Sequence, residues 1–225
     1  MVADLSHWEP CDRPGKIVLQ GAYARLEPID YKVHICGLFA AICGAGDDDV
    51  WTYLPGGPYR SAEQLQAVLK GAHAQHGWET MIIRCAQSAE ILGMASYMRN
   101  REEHGSTEVG CVTFSKKLQR SRIGTDAMYL MAHHVFAGLG YRRYEWKCND
   151  LNEASKRAAF RFGFQYEGLF RNDMVRDGVS RDTAWYAMID TDWPAVEKAF
   201  QLWLEPSNFD AKGLQVQKLV DLRNG

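Results

Sequence analysis

The period of apolar positions along the chain changes several times, and each change marks an element. From Val18 to Glu27 apolar and polar residues alternate, with Ala22, Ala24 and Leu26 on one side, which predicts a strand. Val33, Leu38, Ile42 and Ala45 predict a helix over Tyr31–Ala45, stopped by Gly44, Gly46 and Asp47–Asp49. Ser61 and Gln64 form an S-x-x-Q capping signal for a second helix, in which Leu65, Val68, Leu69 and Ala72 recur at helical spacing. Strands follow at Thr80–Cys85, Ile91–Met98 and Thr107–Phe114, and the short polar turns between them predict an antiparallel meander. The period becomes helical again over Thr125–Gly138. A strand Tyr144–Cys148, a helix Asn152–Phe162 stopped by Gly163, and a strand Phe164–Phe170 come next. Asp177-Gly178 marks a hairpin turn before a return strand, Thr183–Ile189. Asp192 and Pro194 open the last predicted helix, with Val196, Phe200 and Trp203 in register. Residues 1–17 read as a loose arm, 18–192 as the main domain and 193–225 as a helical extension. Its apolar tail, Leu214–Leu222, packs either on the body or on a second copy in a homodimer. The element order predicts an α+β domain around one largely antiparallel sheet.

Composition narrows the function. The 225 residues are 46% apolar and 24% charged, with a formal net charge of -2, which suits a soluble globular protein and argues against nucleic acid as partner. No apolar run reaches the roughly 18 residues of a membrane span. Met1–Lys16 is polar, with Glu9, Asp12 and Pro14, and does not read as a secretory leader, so a cytoplasmic location is expected. The six cysteines form no C-x-x-C pair and read as reduced, mostly buried thiols. No His/Cys cluster has metal-ligand spacing, so no metal is expected.

Three segments carry chemistry. Gln119-Arg120-Ser121-Arg122-Ile123-Gly124-Thr125 lies between a strand and a helix start near Gly124. Unpaired N–H groups and the helix dipole favour an anion there, and Arg120, Arg122, Lys116 and Lys117 add positive charge. The segment reads either as a pyrophosphate cradle or as an ordinary basic loop; it matches neither the Walker loop nor G-x-G-x-x-G. In the second, Asn152 caps a helix that carries Ser155 on the stripe of Ala158, Ala159 and Phe162. The Ser155 hydroxyl either caps the helix or points into a cleft, where it would donate a proton or hold a ligand. The third is the aromatic loop Trp51–Tyr59, with Trp51, Tyr53 and Tyr59, which either contacts a ligand or covers the core.

Taken together, these motifs resemble a family. Q-R-S-R-I-G-T-D-A looks like the coenzyme A loop Q/R-x-x-G-x-G/A of the GNAT N-acetyltransferases. The helix, the strand to Cys148, N-x-x-S at Asn152 and Ser155, and Gly163-Phe164 follow in family order. Glu167-Gly168, Asp177-Gly178 and Arg181-Asp182-Thr183 resemble the closing hairpin of the branch that acetylates ribosomal-protein N-termini. The resemblance covers about residues 18–192 and implies a mixed, mostly antiparallel twisted sheet flanked by helices and splayed between its fourth and fifth strands. It implies acetyl-CoA as cosubstrate, a primary amine of a small molecule or protein N-terminus as acceptor, and direct attack. Val112, Thr113 and Phe114 would hold the pantetheine arm with backbone groups, Gln119–Thr125 the pyrophosphate, and Asn152 the pantetheine side. Ser155 would serve as general acid near the sulfur. Glu108 and Asp173 are the candidate bases, with a sheet-edge charge and a turn former as their other readings. Trp51, Tyr53 and Tyr59 would border the acceptor.

Two departures stand out. Arg122 replaces the loop's first glycine and either restricts backbone approach or adds a phosphate contact. Asp126 opposes a bound phosphate unless it points away. The imperfect loop leaves a second reading, a non-catalytic coenzyme A sensor or an interaction module on the same fold.

Overall fold

The structure, a computed structural model, describes residues 4–224. Eight strands form one sheet in the order β1-β2-β3-β4-β5-β6-β8-β7. They are β1 (Leu19–Gln20), β2 (Ala24–Pro28), β3 (Glu79–Cys85), β4 (Ile91–Arg101), β5 (Ser106–Phe114), β6 (Arg143–Asn149), β7 (Gln165–Arg176) and β8 (Val179–Ile189). The helices are α1 (Tyr31–Ile42), α2 (Ala62–His76), α3 (Arg122–His133, continued by a π-turn to Gly138), α4 (Glu153–Arg161), α5 (Trp193–Leu204) and α6 (Leu219–Asn224). No helix among the described residues is long and apolar enough to cross a membrane.

Every strand pairing is antiparallel except β5 with β6. That parallel ladder is short. It joins Ser106–Glu108 to Arg143–Glu145, and the later residues of the two strands are not paired with each other. The strands predicted as fourth and fifth are thus β5 and β6, because the first predicted strand divides in two. Leu19 and Leu26 pair across a turn at Gly21–Tyr23, held by Asp126, whose Oδ2 accepts from the N–H groups of Tyr23 at 2.7 Å and Ala24 at 2.8 Å.

Two apolar clusters lie on opposite faces of the sheet. Leu38, Ile42, Trp51, Leu65 and Leu69 pack on Ile82 and Met94. On the other face, Met128, Met131, Phe162, Phe200 and Trp203 pack on Met81, Ala95, Tyr144, Trp146 and Tyr186. The alternation along β3 and β6 sends neighbours to opposite sides, which is why both clusters can form.

The caps confirm most boundaries. Ser61 Oγ accepts from Gln64 N, but Gln64 Oε1 accepts from Arg60 N, one residue before the cap. Asp177 and Gly178 both have positive φ, 52° and 77°, the geometry a tight two-residue hairpin needs. Asp192 does not cap α5 with its side chain; its Oδ2 accepts instead from Ile189 N, closing the turn after β8. Nor is α5 the last helix, since α6 follows and buries Leu219. The arm is not loose over the described residues: Trp8 donates to the Glu103 carbonyl, and Arg13 pairs with Glu79 and Glu102. The tail packs on the body. Phe209 stacks edge-on against Trp203, and Trp203 donates to Gln215. Of the cysteines, Cys148 is buried, four are half-buried and Cys36 is exposed, so burial of the thiols is less complete than expected.

Candidate active site

The site begins where the β5–β6 ladder ends. The register of β5 against β4 shifts between Gly110 and Thr113, so that Cys111 and Val112 face a single β4 position. Cys111 has φ 47°, and the bulge re-aims the strand. Just before it, Glu108 is 2% exposed. Lys147 Nζ lies 3.5 Å and Arg99 Nε 3.7 Å from its Oε2, which accepts no hydrogen bond among the described residues. Burial pushes this carboxyl up to about 7, more than Lys147 and Arg99 draw it down. In neighbouring Glu145, Oε1 is taken by Arg101 at 2.6 Å and Arg143 at 2.7 Å, while Oε2, like that of Glu108, accepts no hydrogen bond among the described residues.

The loop from β5 to α3 is shaped by its own side chains. Ser121 caps α3: its Oγ accepts from Gly124 N at 3.0 Å and donates to the Leu118 carbonyl at 2.7 Å. The helix therefore starts at Arg122, earlier than predicted. Gly124 cannot carry a side chain without strain, because a Cβ would lie 2.8 Å from the Leu118 carbonyl oxygen and 3.1 Å from the Phe114 ring. Thr125 Oγ1 donates to the Ser121 carbonyl. The N–H groups of Arg120, Arg122 and Ile123 have no acceptor among the described residues. Arg120 sits at φ 57°. Gln119 donates its side-chain amide to the Phe114 carbonyl at 3.1 Å, and Thr113's carbonyl lies against Gly93 of β4. Val112 sits in the bulge, beyond the last β6 partner.

Four charges expected near this loop go elsewhere. Arg122 lies 3.9 Å over the Phe209 ring and 5.7 Å over Tyr23, drawn outward by the tail. Lys116 pairs with Asp49 and Lys117 with Glu90. Asp126 points away, to the β1–β2 turn. The basic cluster also divides. Arg143 binds Glu167 and Glu145, Arg142 covers Trp8, and Lys147 faces Glu108. Lys156, Arg157 and Arg161 stay together and, with Lys218 and Leu219 from the tail, line a cavity of about 470 Å³. Arg161 lies over the Trp203 ring, and burial lowers its pKa to about 10.

On α4, Asn152 is the cap, with Oδ1 accepting from Ser155 N at 3.0 Å. The Ser155 hydroxyl is thus not the cap. It accepts from Trp146 Nε1 at 3.0 Å, which leaves its own proton to donate. Asp173 is exposed in a bulge of β7 between Phe170 and Met174, within a strand rather than a turn.

On the opposite face, Trp51, Tyr59, Leu65, Leu69, Met94 and Cys111 line a cleft of about 380 Å³. Trp51 is also core, 3% exposed, with its indole donating to the Ile42 carbonyl. Tyr59 meets it edge-on at 5.0 Å. Tyr53 is half-buried and does not line the cleft. Arg176, near the hairpin tip, donates to the Leu54 carbonyl and brings β7 to the aromatic loop. Sequence reasoning missed Met94 and Cys111, and it missed Thr183 and Trp185 of β8. Their strand periodicity was visible, but which alternate residues flank Glu108 depends on long-range pairing.

Comparison with known proteins identifies the family to which this fold belongs. Residues 25–165 match the model of the acetyltransferase (GNAT) domain. The crystal structure of a GCN5-related N-acetyltransferase from Brucella melitensis is 35% identical, with a TM-score of 0.93 over 98% of this chain and 100% of that one. A probable acetyltransferase of the GNAT family from Chromobacterium violaceum ATCC 12472 is also 35% identical, with a TM-score of 0.80 over 86% and 96% of the two chains. The uncharacterized N-acetyltransferase YoaA of Bacillus subtilis (strain 168) is 26% identical over 100 residues, 44% of this chain and 56% of its own length. The match thus spans about half the length of that curated relative. With the domain model matched over more than half of its residues and the fold matched nearly end to end, this chain belongs to the GNAT family of acetyltransferases.

Proposed function

We propose that the protein moves an acetyl group from acetyl-CoA to a primary amine by direct attack. The observation that carries this reading is Glu108, a buried carboxylate with an unpartnered oxygen at the end of the β5–β6 ladder and a pKa of about 7. A base poised near neutral pH suits removal of a proton from an amine. The amine nitrogen bonds to the acyl carbon as the carbon–sulfur bond breaks. The amine proton passes to Glu108, which releases it to solvent, and the departing sulfur takes one from Ser155, whose hydroxyl is oriented by the Trp146 indole and regains its proton from solvent.

Acetyl-CoA would supply the activated acyl group, and the residues present fit it. The close packing at Gly124 keeps the loop low, and the N–H groups of Arg120, Arg122 and Ile123 are available to phosphate oxygens. Arg157, Arg161 and Lys218 suit the anionic far end, whereas Lys156 beside them is paired with Asp150 and Glu153. The stacking of Arg122 on Phe209, away from the loop's free N–H groups, supports the catalytic reading over a non-catalytic sensor. The cleft of Trp51 and Tyr59 would receive the acceptor. Asp173, exposed and beside Arg181, is the weaker base. Resemblance to the branch that acts on ribosomal proteins rests on the closing-hairpin motifs and on the upstream segments Gly21–Pro28, Ile91-Leu92-Gly93 and Glu108-Val109-Gly110.

Acetyl-CoA titrated calorimetrically should bind saturably, and mass spectrometry of an amine panel should show acetylated product. Saturable binding with no product from any amine overturns the enzyme reading in favour of the sensor.

A further inference from the structure

A row of side chains on β8 has a face of the sheet in common with Glu108. Trp185 is opposite Lys147 and Thr183 opposite Asn149, so both point to the side on which Lys147 meets Glu108. Arg181 lies two residues before Thr183, within electrostatic reach of Glu108. Five polar atoms here are buried without a hydrogen-bond partner among the described residues: the acceptors Glu108 Oε2 and Glu145 Oε2, Thr183 Oγ1, and the donors Trp185 Nε1 and Arg181 Nε. Native proteins seldom leave such atoms unpaired, and where several converge a ligand is the natural partner.

The chemistry of the missing partner follows from which atoms are unpaired. Trp185 Nε1 and Arg181 Nε can only donate. They need acceptor oxygens, which a simple amine does not have. Charge says the same. Arg99 lies 4.6 Å and Lys147 5.3 Å over the Trp185 ring, and Arg181 stands nearby. Glu108 faces all three; Glu145, bound through Oε1 to Arg101 and Arg143, also lies 3.9 Å from Arg99, and Asp173 stands beside Arg181. An amine alone adds a fourth positive charge or, once deprotonated, nothing to balance the others. An amine with a carboxylate on the adjacent carbon supplies both the oxygens and the negative charge. Phe170, 5.0 Å from Trp185 and half-exposed, and the cleft at Trp51 and Met94 leave room for an apolar side chain.

Building on the acetyl-transfer reading above, we propose that the acceptor is an α-amino carboxylate with an apolar side chain, its carboxylate held by Arg181 and Trp185 and its amine beside Glu108. Phenylalanine, methionine and leucine, each beside its decarboxylated amine and its amide, test this by kcat/KM with acetyl-CoA. At least one amino acid should exceed its decarboxylated partner by about 10- to 100-fold, the scale of a charge-assisted contact. Arg181→Gln should shrink that ratio towards one through KM, and Arg181→Lys should restore part of it; melting curves verify that both variants fold. Equal rates on the amino acids and the decarboxylated amines overturn the proposal while leaving acetyl transfer standing. Should no amine be acetylated, calorimetric binding of the same amino acids decides the matter. Binding lost in Arg181→Gln upholds the carboxylate site, and absence of binding to the wild-type protein overturns it.

Discussion

On the α3–α4 face of the sheet, several polar side chains find their partners within the chain, although the buried hydroxyl of Tyr144 in the β5–β6 ladder has none among the described residues. Ser121 holds Gly124, Asn152 holds Ser155, Ser155 takes the Trp146 indole, and Asp126 holds Tyr23 and Ala24. On the opposite face Glu108, Thr183, Trp185 and Arg181 each keep a buried polar atom unpaired. The first region spends its side chains on shaping backbone, so that main-chain N–H groups are left to meet a ligand. The second leaves the side chains themselves to do so. A site of the first kind tolerates variation in side chains that face outward, as Arg122 illustrates. A site of the second kind ties selectivity to individual residues.

Substitutions can break this contrast. The largest effect is expected at Glu108. Glu108→Gln should lower kcat/KM by about 10²- to 10⁴-fold, while calorimetry shows acetyl-CoA affinity little changed. In the wild-type protein, activity should rise with pH through about 7, and that limb should vanish in the variant. The sign for stability is opposite. A carboxyl whose folded pKa lies above its ordinary 4.5 favours the fold when protonated, so its contribution is complete below pH 4.5 and is lost as pH rises through about 7.

Next comes Asp126→Ala, which strands two backbone N–H groups and should cost about 2 to 3 kcal/mol in urea unfolding. If the loop is shaped independently of this tie, acetyl-CoA affinity should stay within about threefold once the variant is folded. Ser155→Ala should cost about 1 kcal/mol or somewhat more, because Trp146 loses its acceptor. Its kcat should fall about tenfold, within the range of one proton-transfer contact. The smallest effect is expected at Arg122. Arg122→Ala removes a stacking contact worth about 0.5 to 2 kcal/mol, with acetyl-CoA affinity hardly altered. A tenfold loss of affinity there would mean that the guanidinium leaves Phe209 to grip phosphate, and the contrast between the faces would fail.

Much of this molecule is legible in its sequence. Alternation, the caps at Ser61 and Asn152 and the Asp177-Gly178 turn locate nearly every element, because these signals act over a few residues. Glu108, Gly124 and Ser155 were also visible as candidates through their motifs. What stayed hidden depends on distant pairing. Asp126 looked like an unwelcome charge beside a phosphate until its partners, Tyr23 and Ala24, came from the other end of the domain. Arg122 looked like a gatekeeper until Phe209 of the tail claimed it. Trp185 looked like an ordinary strand residue and Arg181 like part of a closing hairpin, since nothing local says that β8 lies beside β6. The bulge at Cys111 leaves no local mark either, being defined by the register against β4.

The brevity of the parallel ladder also bears on how the chain acquires its shape. Strands β1–β5 pair with near neighbours through hairpins and one helical excursion, and β6, β7 and β8 form their own antiparallel group. Only Ser106–Glu108 against Arg143–Glu145 joins the two groups by backbone pairing, across the whole of α3. Closing that long loop costs entropy before it returns any contact. Each antiparallel group is therefore expected to gain protection early in refolding, and the amides of the join last. The place proposed for the meeting of the substrates is then also expected to be the last part of the sheet to form.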